Sequence, residues 1–305
     1  MKNNLEKNEP MWSNFAGRII FNIVAHPFDY AKFLIQIGYE PIPPWPSTTF
    51  WGKPALALPN IFQYINHIKR VDGVAGCYQG FVPKCWAYCI YSVTSNKCIE
   101  SITFKDELNV NDVSVDDLED NLRDKHYAQE FLKNLVGRTV GLIVTHPFDV
   151  ICVRMMAQFV GKETKYVTLL GSVKEIYKVN GLSGFYSGFI PRIIGHTITL
   201  ALVSASTYYI NKYVIKDDLR AFTYTTMSFL ASTITYPFLL VTQCMAVNDC
   251  GLAAGKPPMM PYYADWQQCW RHLSSIKQLK RGSSVMWRTI NLPSIEYLEY
   301  TKSLY

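Results

Sequence analysis

Charged side chains inside apolar segments are the feature of this sequence most able to do chemistry. Asp29 and Lys32 are three residues apart in the first apolar segment, and Asp149 stands at the matching place in a later one. Residues at this spacing share one face of a helix, and a charge at mid-membrane costs roughly 2.5–3.5 kcal/mol on insertion scales. We therefore expect these side chains to face water or each other in a polar cavity. The alternative is that they only pair to hold helices together.

Polar residues at helical spacing extend this pattern over five predicted helices. Together they predict a hydrophilic groove formed by Arg18, Asn22, His26, Asp29, Lys32, Lys84, Arg138, His146, Asp149, Arg192, His196, Thr235, Tyr236, Thr242 and Asn248. For the three histidines, an alternative is that each only satisfies a local hydrogen bond. The chemistry that such a groove supports is non-covalent, namely the passage of polar groups across an apolar layer.

The sequence contains no pattern that is typical of covalent or metal-dependent catalysis. There is no nucleophile–base pair, metal-ligand spacing or phosphate-binding glycine loop. The eight cysteines show no CxxC spacing and are interpreted as buried or lipid-facing thiols. The net charge of +6 suits anionic lipid surfaces, but no nucleic-acid-binding motif accompanies it. We expect no enzyme, no cofactor or metal, and no nucleic-acid partner.

The segments that carry the groove residues recur three times. Each repeat opens on an apolar helix with an internal proline, in His26-Pro27-Phe28-Asp29, His146-Pro147-Phe148-Asp149 and Tyr236-Pro237-Phe238-Leu239. The second half of the repeat also recurs: Asp72-Gly73 leads to Tyr78-Gln79-Gly80-Phe81, Asn180-Gly181 leads to Tyr186-Ser187-Gly188-Phe189, and Arg281-Gly282 leads to Trp287-Arg288-Thr289. Proline bends a helix, so kinks are predicted at Pro27, Pro147 and Pro237. Their matching positions favour a shared architectural role over a local packing effect.

The pattern predicts one membrane domain over residues 1–305. Its repeats are placed at about 14–104, 131–215 and 219–293, with a solvated acidic loop at 105–124. Long helices are predicted at 14–39, 80–102, 131–160, 188–213 and 219–248, and short amphipathic helices near 59–70, 165–179 and 265–279. A membrane helix needs about 20 apolar residues, whereas the tail 291–305 is shorter and charged. We therefore expect an all-α three-repeat bundle that lacks its sixth transmembrane helix and has one wall facing lipid.

The proline repeats resemble the mitochondrial solute carrier family, whose signature is Pro-x-[Asp/Glu]-x-x-[Lys/Arg]. Repeat 1 matches it fully, repeat 2 has Cys152 at the basic position, and repeat 3 has Leu239 and Thr242 at the charged positions. The resemblance implies a cavity that carriers close on one side with three acid–base pairs. On the other side carriers use an aromatic-acid-x-x-base motif, and here the stretch 208–212 lacks the acid. These departures argue against metabolite exchange.

Further stretches resemble the mitochondrial carrier homolog family, a divergent branch of the carriers. They are the segments 35–44, 235–238 and 245–253 and the pair Pro257-Pro258. This resemblance implies a multi-pass protein of the outer mitochondrial membrane that inserts tail-anchored and other α-helical proteins and scrambles lipids. The implied partners are membrane lipids, tail-anchored client proteins and apoptotic regulators. The family pattern has an acid at the His196 position, so histidine makes this groove more basic.

Three functions are therefore kept open. The first is a membrane insertase that works through the groove without covalent chemistry. The second is a lipid scramblase that uses the same groove. The third is a docking scaffold for apoptosis or lipid-metabolism factors, which would use the acidic loop or the proline-rich connector at 40–46. A residual solute carrier ranks behind these three.

Overall fold

The chain folds into a bundle of long helices, with short helices and a small sheet at one end. The computed structural model describes residues 11–49, 52–102, 120–213 and 220–290. Its long helices are α1 (Met11–Ile37), α3 (Phe81–Ser101), α4 (Asp120–Ala157), α6 (Phe189–Tyr213) and α7 (Arg220–Val247). Its short helices are α2 (Ile61–Gly76), α5 (Leu169–Asn180) and α8 (Trp266–Ser275). Strands β1 (Trp45–Thr48), β2 (Pro54–Ala57) and β3 (Thr289–Ile290) form an antiparallel sheet in that order. The predicted all-α bundle is confirmed, while the sheet was not predicted.

Three helical segments of the described chain are long and apolar enough to cross a membrane. They are Asp124–Ala157, Leu182–Ile210 and Phe222–Val247. Helices α1 and α3 have 27 and 21 residues, but polar side chains spread along them lower their apolar content. Membrane crossing by these two helices stays a prediction. In the described chain after α7, the one α-helix is α8, whose 10 residues span about 15 Å, half of a hydrocarbon core.

The predicted helix boundaries agree with the structure within a few residues, except at the end of α2, which lies at Gly76 and not near Arg70, and at the start of α4. This helix begins at Asp120, not near Phe131, so the last part of the predicted acidic loop is helical. Asp120 and Asp124 therefore belong to the helix and not to the loop. The remainder of the predicted loop, and the tail 291–305, lie outside the described residues.

The hydrophobic core lies at the carboxyl-terminal ends of the three proline-containing helices. Pro27, Pro147 and Pro237 lie inside α1, α4 and α7, and the buried cluster begins just after or beside each of them. The amino-terminal half of α1 is different, since Phe21 is 71% exposed, and Phe229 in α7 is 70% exposed. The core therefore fixes one end of the bundle and leaves apolar faces uncovered toward the other.

Close backbone contacts join each repeat to the next. Gly80 and Gly188 precede α3 and α6 and have φ angles of +77° and +78°. A Cβ atom at Gly188 would lie 2.6 Å from the carbonyl oxygen of Thr242, and one at Gly80 would lie 2.8 Å from that of Cys152. The helix start of one repeat thus rests directly on the odd-numbered helix of the next repeat.

A buried arginine and the sheet join repeat 3 to repeat 1. Arg288 forms an ion pair with Glu40 and donates to the carbonyl oxygen of Pro59 at 2.9 Å. Tyr64 donates to the carbonyl oxygen of Tyr39 at 2.7 Å. Burial, together with the Glu40 carboxylate, raises the pKa of Tyr64 well above its usual value. The phenol therefore stays protonated and keeps this donor at any ordinary pH.

Replacing Gly188 with alanine is expected to destabilise the protein far more than replacing Gly181. Both glycines have positive φ angles, which cost an L-residue about 1–2 kcal/mol. Nothing lies within 4 Å of a Cβ at Gly181, whereas one at Gly188 meets backbone. Forced overpacking of this kind adds about 1–3 kcal/mol. Thermal unfolding in detergent, followed with a dye that reacts with the buried cysteines as they become exposed, measures the difference. Equal losses in the two variants would contradict the close packing.

Candidate functional site

A polar cavity of about 330 Å³ lies beside the core, where α1, α4 and α7 face each other. Eight of the predicted groove residues line it: His26, Asp29, Lys32, Lys84, His146, Asp149, Arg192 and Thr242. Gln36, Cys152, Met156 and Gln243 complete much of the remaining wall. The structure therefore brings together five charged members of the predicted set, namely Asp29, Lys32, Lys84, Asp149 and Arg192.

Repeat 1 contributes an ion pair between its own two long helices. Lys84 Nζ on α3 lies 2.5 Å from Asp29 Oδ2 on α1, and the Asp29 side chain remains 51% exposed. Three residues before Asp29, His26 Nε2 lies 2.9 Å from the carbonyl oxygen of Gln79. A carbonyl only accepts, so Nε2 carries the proton and donates. This hydrogen bond fixes the start of α3 beside α1 and places Lys84 within reach of Asp29.

Repeat 2 builds the same arrangement from α4 and α6. Arg192 Nη1 lies 2.6 Å from Asp149 Oδ2, and His146 Nε2 lies 3.1 Å from the carbonyl oxygen of Ser187. Arg192 also lies 3.0 Å from His146 Nδ1. A guanidinium only donates, so Nδ1 accepts, Nε2 carries the proton, and the imidazole is neutral. The two contacts together assign the tautomer of this histidine.

Repeat 3 replaces the histidine with a tyrosine and keeps the contact. Tyr236 donates its hydroxyl proton to the carbonyl oxygen of Arg281 at 2.8 Å and accepts from Gln36 Nε2 at 3.0 Å. Arg281 in turn donates to the carbonyl oxygen of Gln36 at 2.9 Å. Gly282, the next residue, has a φ angle of +78°.

All three repeats thus share one hydrogen bond, here named the proline latch. In each repeat the side chain before the helix proline donates to the carbonyl before a left-handed glycine. The donor–carbonyl–glycine sets are His26, Gln79 and Gly80; His146, Ser187 and Gly188; and Tyr236, Arg281 and Gly282. The sequence motifs named these residues, but their mutual contact appears only in the structure.

Lys32 is the cation of the cavity that has no carboxylate partner among the described residues. Its ammonium lies 5.7 Å from the centre of the Tyr236 ring, a cation–π distance. The two acids of the signature bind Lys84 and Arg192 inside their own repeats, and repeat 3 offers Leu239 and Thr242 instead of charges. The cavity wall therefore carries one excess positive charge.

The opposite end of the bundle has an acid that the sequence motif did not reveal. Lys212 Nζ lies 3.6 Å from Asp124 on α4 and 2.8 Å from the Tyr208 hydroxyl, which donates to the same Asp124. The stretch 208–212 lacks the acid of the carrier motif, as the sequence shows, and Asp124 on α4 supplies a carboxylate at this end instead. Helices α4 and α6 are therefore joined by ion pairs at both ends.

Several predicted groove residues hold the scaffold instead of lining the cavity. Thr235 Oγ1 on α7 lies 2.8 Å from Thr199 Oγ1 on α6. Asn248 binds the backbone of Tyr263 twice, at 2.8 and 3.1 Å, and so fixes the connector before α8. Tyr236 belongs to the latch of repeat 3. Their polar side chains satisfy neighbouring helices and loops.

The other predicted residues lie away from the cavity wall. Arg138 and His196 are half-buried on α4 and α6, and the positive charges of Arg138 and Arg192 act on His196. His196 Nε2 is buried and has no hydrogen-bond partner in the described part of the chain. Asn22 is half-buried on α1, while the side chain of Arg18 lies outside the described residues.

The predicted set of groove residues left out two residues that make contacts at the site. Gln36 and Arg281 close the third latch. In the sequence, Arg281-Gly282 was aligned with Asp72-Gly73 and Asn180-Gly181, whereas the latch gives Gly282 the role of Gly80 and Gly188. Arg154, the base nearest to Cys152 in the sequence, is buried and donates to the carbonyl oxygen of Ala246 at 3.0 Å and to Asn180 Oδ1 at 2.9 Å. It stabilises the core and does not replace the missing groove base.

Comparison with known proteins gives consistent matches over most of the chain. A family model described as mitochondrial carrier protein matches residues 10–103 and 123–218. Mitochondrial carrier homolog 2 of Homo sapiens is 34% identical over 277 residues, which cover 88% of this chain and 90% of that protein. Mitochondrial carrier homolog 1 of Mus musculus is 35% identical over 300 residues, which cover 90% of this chain and 76% of that protein.

Exchanging the charges of Asp149 and Arg192 should restore the stability that either single reversal removes. Asp149→Arg and Arg192→Asp each place like charges 2.6 Å apart in a partly buried site. The double variant re-forms the pair, with a coupling energy of about 1–3 kcal/mol. Unfolding in detergent measures this cycle, and the matched control combines Asp149→Lys with Lys32→Asp. Rescue by the control exchange instead would show that Asp149 pairs across repeats.

Proposed function

This chain belongs to the mitochondrial carrier homolog branch of the mitochondrial carrier family, and we propose that it inserts tail-anchored and other α-helical proteins into the outer mitochondrial membrane. Family membership and the apolar helices make it a mitochondrial membrane protein. The outer membrane and a multi-pass topology belong to the proposal. The observation that carries it is a partly exposed polar cavity whose Lys32 has no carboxylate partner among the described residues.

The pattern of ion pairs argues against alternating access. The ring of acid–base pairs that closes a carrier cavity requires each acid to reach a base in the neighbouring repeat. Here Asp29 and Asp149 bind bases of their own repeats. Asp124 and Lys212 hold α4 to α6 at the opposite end. Moving α4 away from α6 would break the Asp149–Arg192 pair, whose side chains are only 29% and 25% exposed, and breaking a partly buried pair costs more than breaking an exposed one. A fixed polar surface suits transfer along a groove better than a gated exchange of metabolites.

The insertase mechanism lowers a desolvation barrier and needs no covalent step. The tail anchor of a client protein ends in a short polar flank that must cross hydrocarbon, where unpaired polar groups cost several kcal/mol each. Cavity side chains such as Asp29, Lys32 and Arg192 replace part of the water that the flank leaves behind. The excess cation favours carboxylates and the carbonyl ends of peptide dipoles.

The exposed faces of α1 and α7 support a lateral exit beside the cavity. Both helices are buried at their carboxyl-terminal ends, but Phe21 and Val24 on α1 and Phe229 and Ile234 on α7 are more than half exposed. Apolar side chains of this size need lipid or another helix against them. The apolar segment of a client leaves the groove in this direction while its polar flank crosses through the cavity.

A lipid scramblase is the second candidate, and the same cavity supports it. A headgroup phosphate matches the Lys32 ammonium, which has no carboxylate partner in the part of the chain that the structure describes, and acyl chains stay on the exposed apolar faces. Insertion and scrambling share the groove but differ in client. Docking of apoptosis or lipid-metabolism factors through the loop at 105–124 remains a prediction, because most of that loop lies outside the described residues.

Lys32→Glu should reduce client insertion by the purified protein roughly tenfold, which corresponds to about 1.4 kcal/mol. The substitution reverses the excess charge of the cavity wall. Liposomes that contain only this protein receive a tail-anchored substrate held soluble by a chaperone, and protease protection of its short tail is scored. The control is Lys53→Glu in the exposed β1–β2 hairpin. If the client's tail is protected equally well by correctly folded Lys32→Glu protein, the cavity takes no part in insertion.

Flip of labelled lipid in the same liposomes, without client, separates the two candidates. A protein that scrambles lipid but gives no tail protection has an open groove and acts on insertion indirectly. A protein that protects the tail without scrambling is an insertase alone.

A further inference from the structure

Two buried cysteines meet where the short helix of repeat 3 packs on its long helix. Cys244 on α7 is 1% exposed, and Cys269 on α8 is fully buried. Their side chains form a hydrogen bond in which the Cys269 thiol donates to the Cys244 sulfur. The two residues belong to different helices, so only the packing of α8 against α7 brings their sulfur atoms together.

A guanidinium also contacts the Cys244 sulfur. Arg281 Nη2 donates to Cys244 Sγ at 3.8 Å, and Arg281 Nε donates to the carbonyl oxygen of Gln36 at 2.9 Å. A positive charge beside a cysteine sulfur favours the thiolate, which is the nucleophilic form. Cys269 has the opposite character, because its hydrogen bond to Cys244 and its burial raise its pKa well above the usual value. Cys244 is therefore the nucleophile of the pair, and Cys269 is the thiol that keeps its proton.

The polar cavity gives a small oxidant a path to this sulfur. Gln36 and Gln243 line the cavity wall, and the carbonyl oxygen of Gln36 lies 3.9 Å from Cys244 Sγ. Gln243 Oε1 is buried and accepts no hydrogen bond within the described part of the chain. Hydrogen peroxide is small and uncharged, and its hydroxyl groups donate to an acceptor of this kind. The cavity thus leads to the neighbourhood of Cys244.

We propose that Cys244 and Cys269 are a peroxide-sensitive pair that closes to a disulfide and locks α8 onto α7. The Cys244 sulfur attacks one oxygen of hydrogen peroxide, the O–O bond breaks, and the departing hydroxide takes up the thiol proton as water, which leaves a sulfenic acid. The Cys269 sulfur then attacks the Cys244 sulfur, the S–O bond breaks, and the hydroxyl group leaves with the Cys269 proton as a second water. The two thiols lose two electrons, and the peroxide gains them.

The disulfide would fix the part of repeat 3 that binds repeat 1. Without it, α8 is held to α7 by non-covalent packing such as that of Phe238 against Trp270, whose ring centres are 4.7 Å apart. Arg281 follows α8 in the chain, and its carbonyl oxygen accepts the third proline latch from Tyr236. A covalent link between α7 and α8 restricts the unfolded chain and so favours the state in which Arg281 reaches repeat 1.

A second pair of neighbouring cysteines provides an internal control. Cys85 and Cys89 are one helical turn apart in α3, and both are more exposed than Cys244 and Cys269. Residues at this spacing in a helix have Cβ atoms about 5–6 Å apart, whereas a disulfide needs about 3.5–4.5 Å. We therefore expect peroxide to leave Cys85 and Cys89 unlinked, although it reaches them more easily.

Disulfide mapping of the full-length protein in detergent tests the pairing. The protein is treated with hydrogen peroxide, its remaining thiols are alkylated in denaturant, and unreduced peptides are identified by mass spectrometry. We expect a peptide linked through Cys244 and Cys269 that disappears on reduction with dithiothreitol, and no link between Cys85 and Cys89. Folded protein in which Cys244 and Cys269 stay free, or in which Cys244 is oxidised further without a link, would overturn the proposal. An equal yield of a Cys85–Cys89 link would overturn its selectivity.

The role of the guanidinium is measured with Arg281→Gln, which should slow formation of the disulfide roughly tenfold by removing the charge that stabilises the thiolate. Arg271→Gln on the exposed side of α8 is the matched control and should leave the rate unchanged. Thermal unfolding confirms that both variants are folded. Equal rates in the two variants would show that Arg281 does not activate Cys244.

The lock itself is measured by comparing each protein with itself before and after peroxide. The disulfide should raise the midpoint of thermal unfolding by roughly 5 °C, and dithiothreitol should reverse the shift. Cys269→Ala should show no such shift, whatever its own starting stability. A linked protein with an unchanged midpoint would contradict the lock, and a shift that persists in Cys269→Ala would assign it to other thiols.

Discussion

The organisation of this protein depends on the hydrogen bond from the residue before each helix proline to the carbonyl before a left-handed glycine. Proline removes a backbone donor within the helix, and the side chain before it binds across to the next element of the same repeat. His26, His146 and Tyr236 all do this, although one of the three is not a histidine. The contact fixes where the following segment begins, and the glycine then lets that segment rest on the next repeat.

The latch also decides how the charges pair. Once α3 starts beside α1, Lys84 is the nearest base to Asp29, and Arg192 stands in the same relation to Asp149. Because Asp29 and Asp149 pair inside their own repeats, they are not available for a ring of ion pairs between repeats that would close the cavity. Lys32 is left facing the ring of Tyr236. One hydrogen bond, repeated three times, thus accounts for a cavity with an excess positive charge.

The third repeat departs from the other two at several levels, and these departures belong together. It has no charged signature residues in α7, and its latch uses a tyrosine together with a glutamine from α1. Arg281 and Arg288 bind repeat 1 instead. Repeat 3 therefore closes the bundle at the core end, while the first two repeats supply the charged cavity wall.

The sequence by itself determined the repeat, the long helices and the polar residues available to a groove, because helical periodicity and motif spacing are local properties. It therefore predicted the all-α bundle and eight of the seventeen residues that line the cavity. The acid at the far end of α4 was misread, since Asp124 stands within an acidic stretch that also reads as loop. Which base each acid binds is known only from the folded chain. Asp29 and Lys84 are 55 residues apart in the sequence, and the helical spacing of several other bases would equally place them on a groove-facing side. The same holds for the latch: a carbonyl group has no signature in a sequence, and its partner is known only when the backbone has been placed.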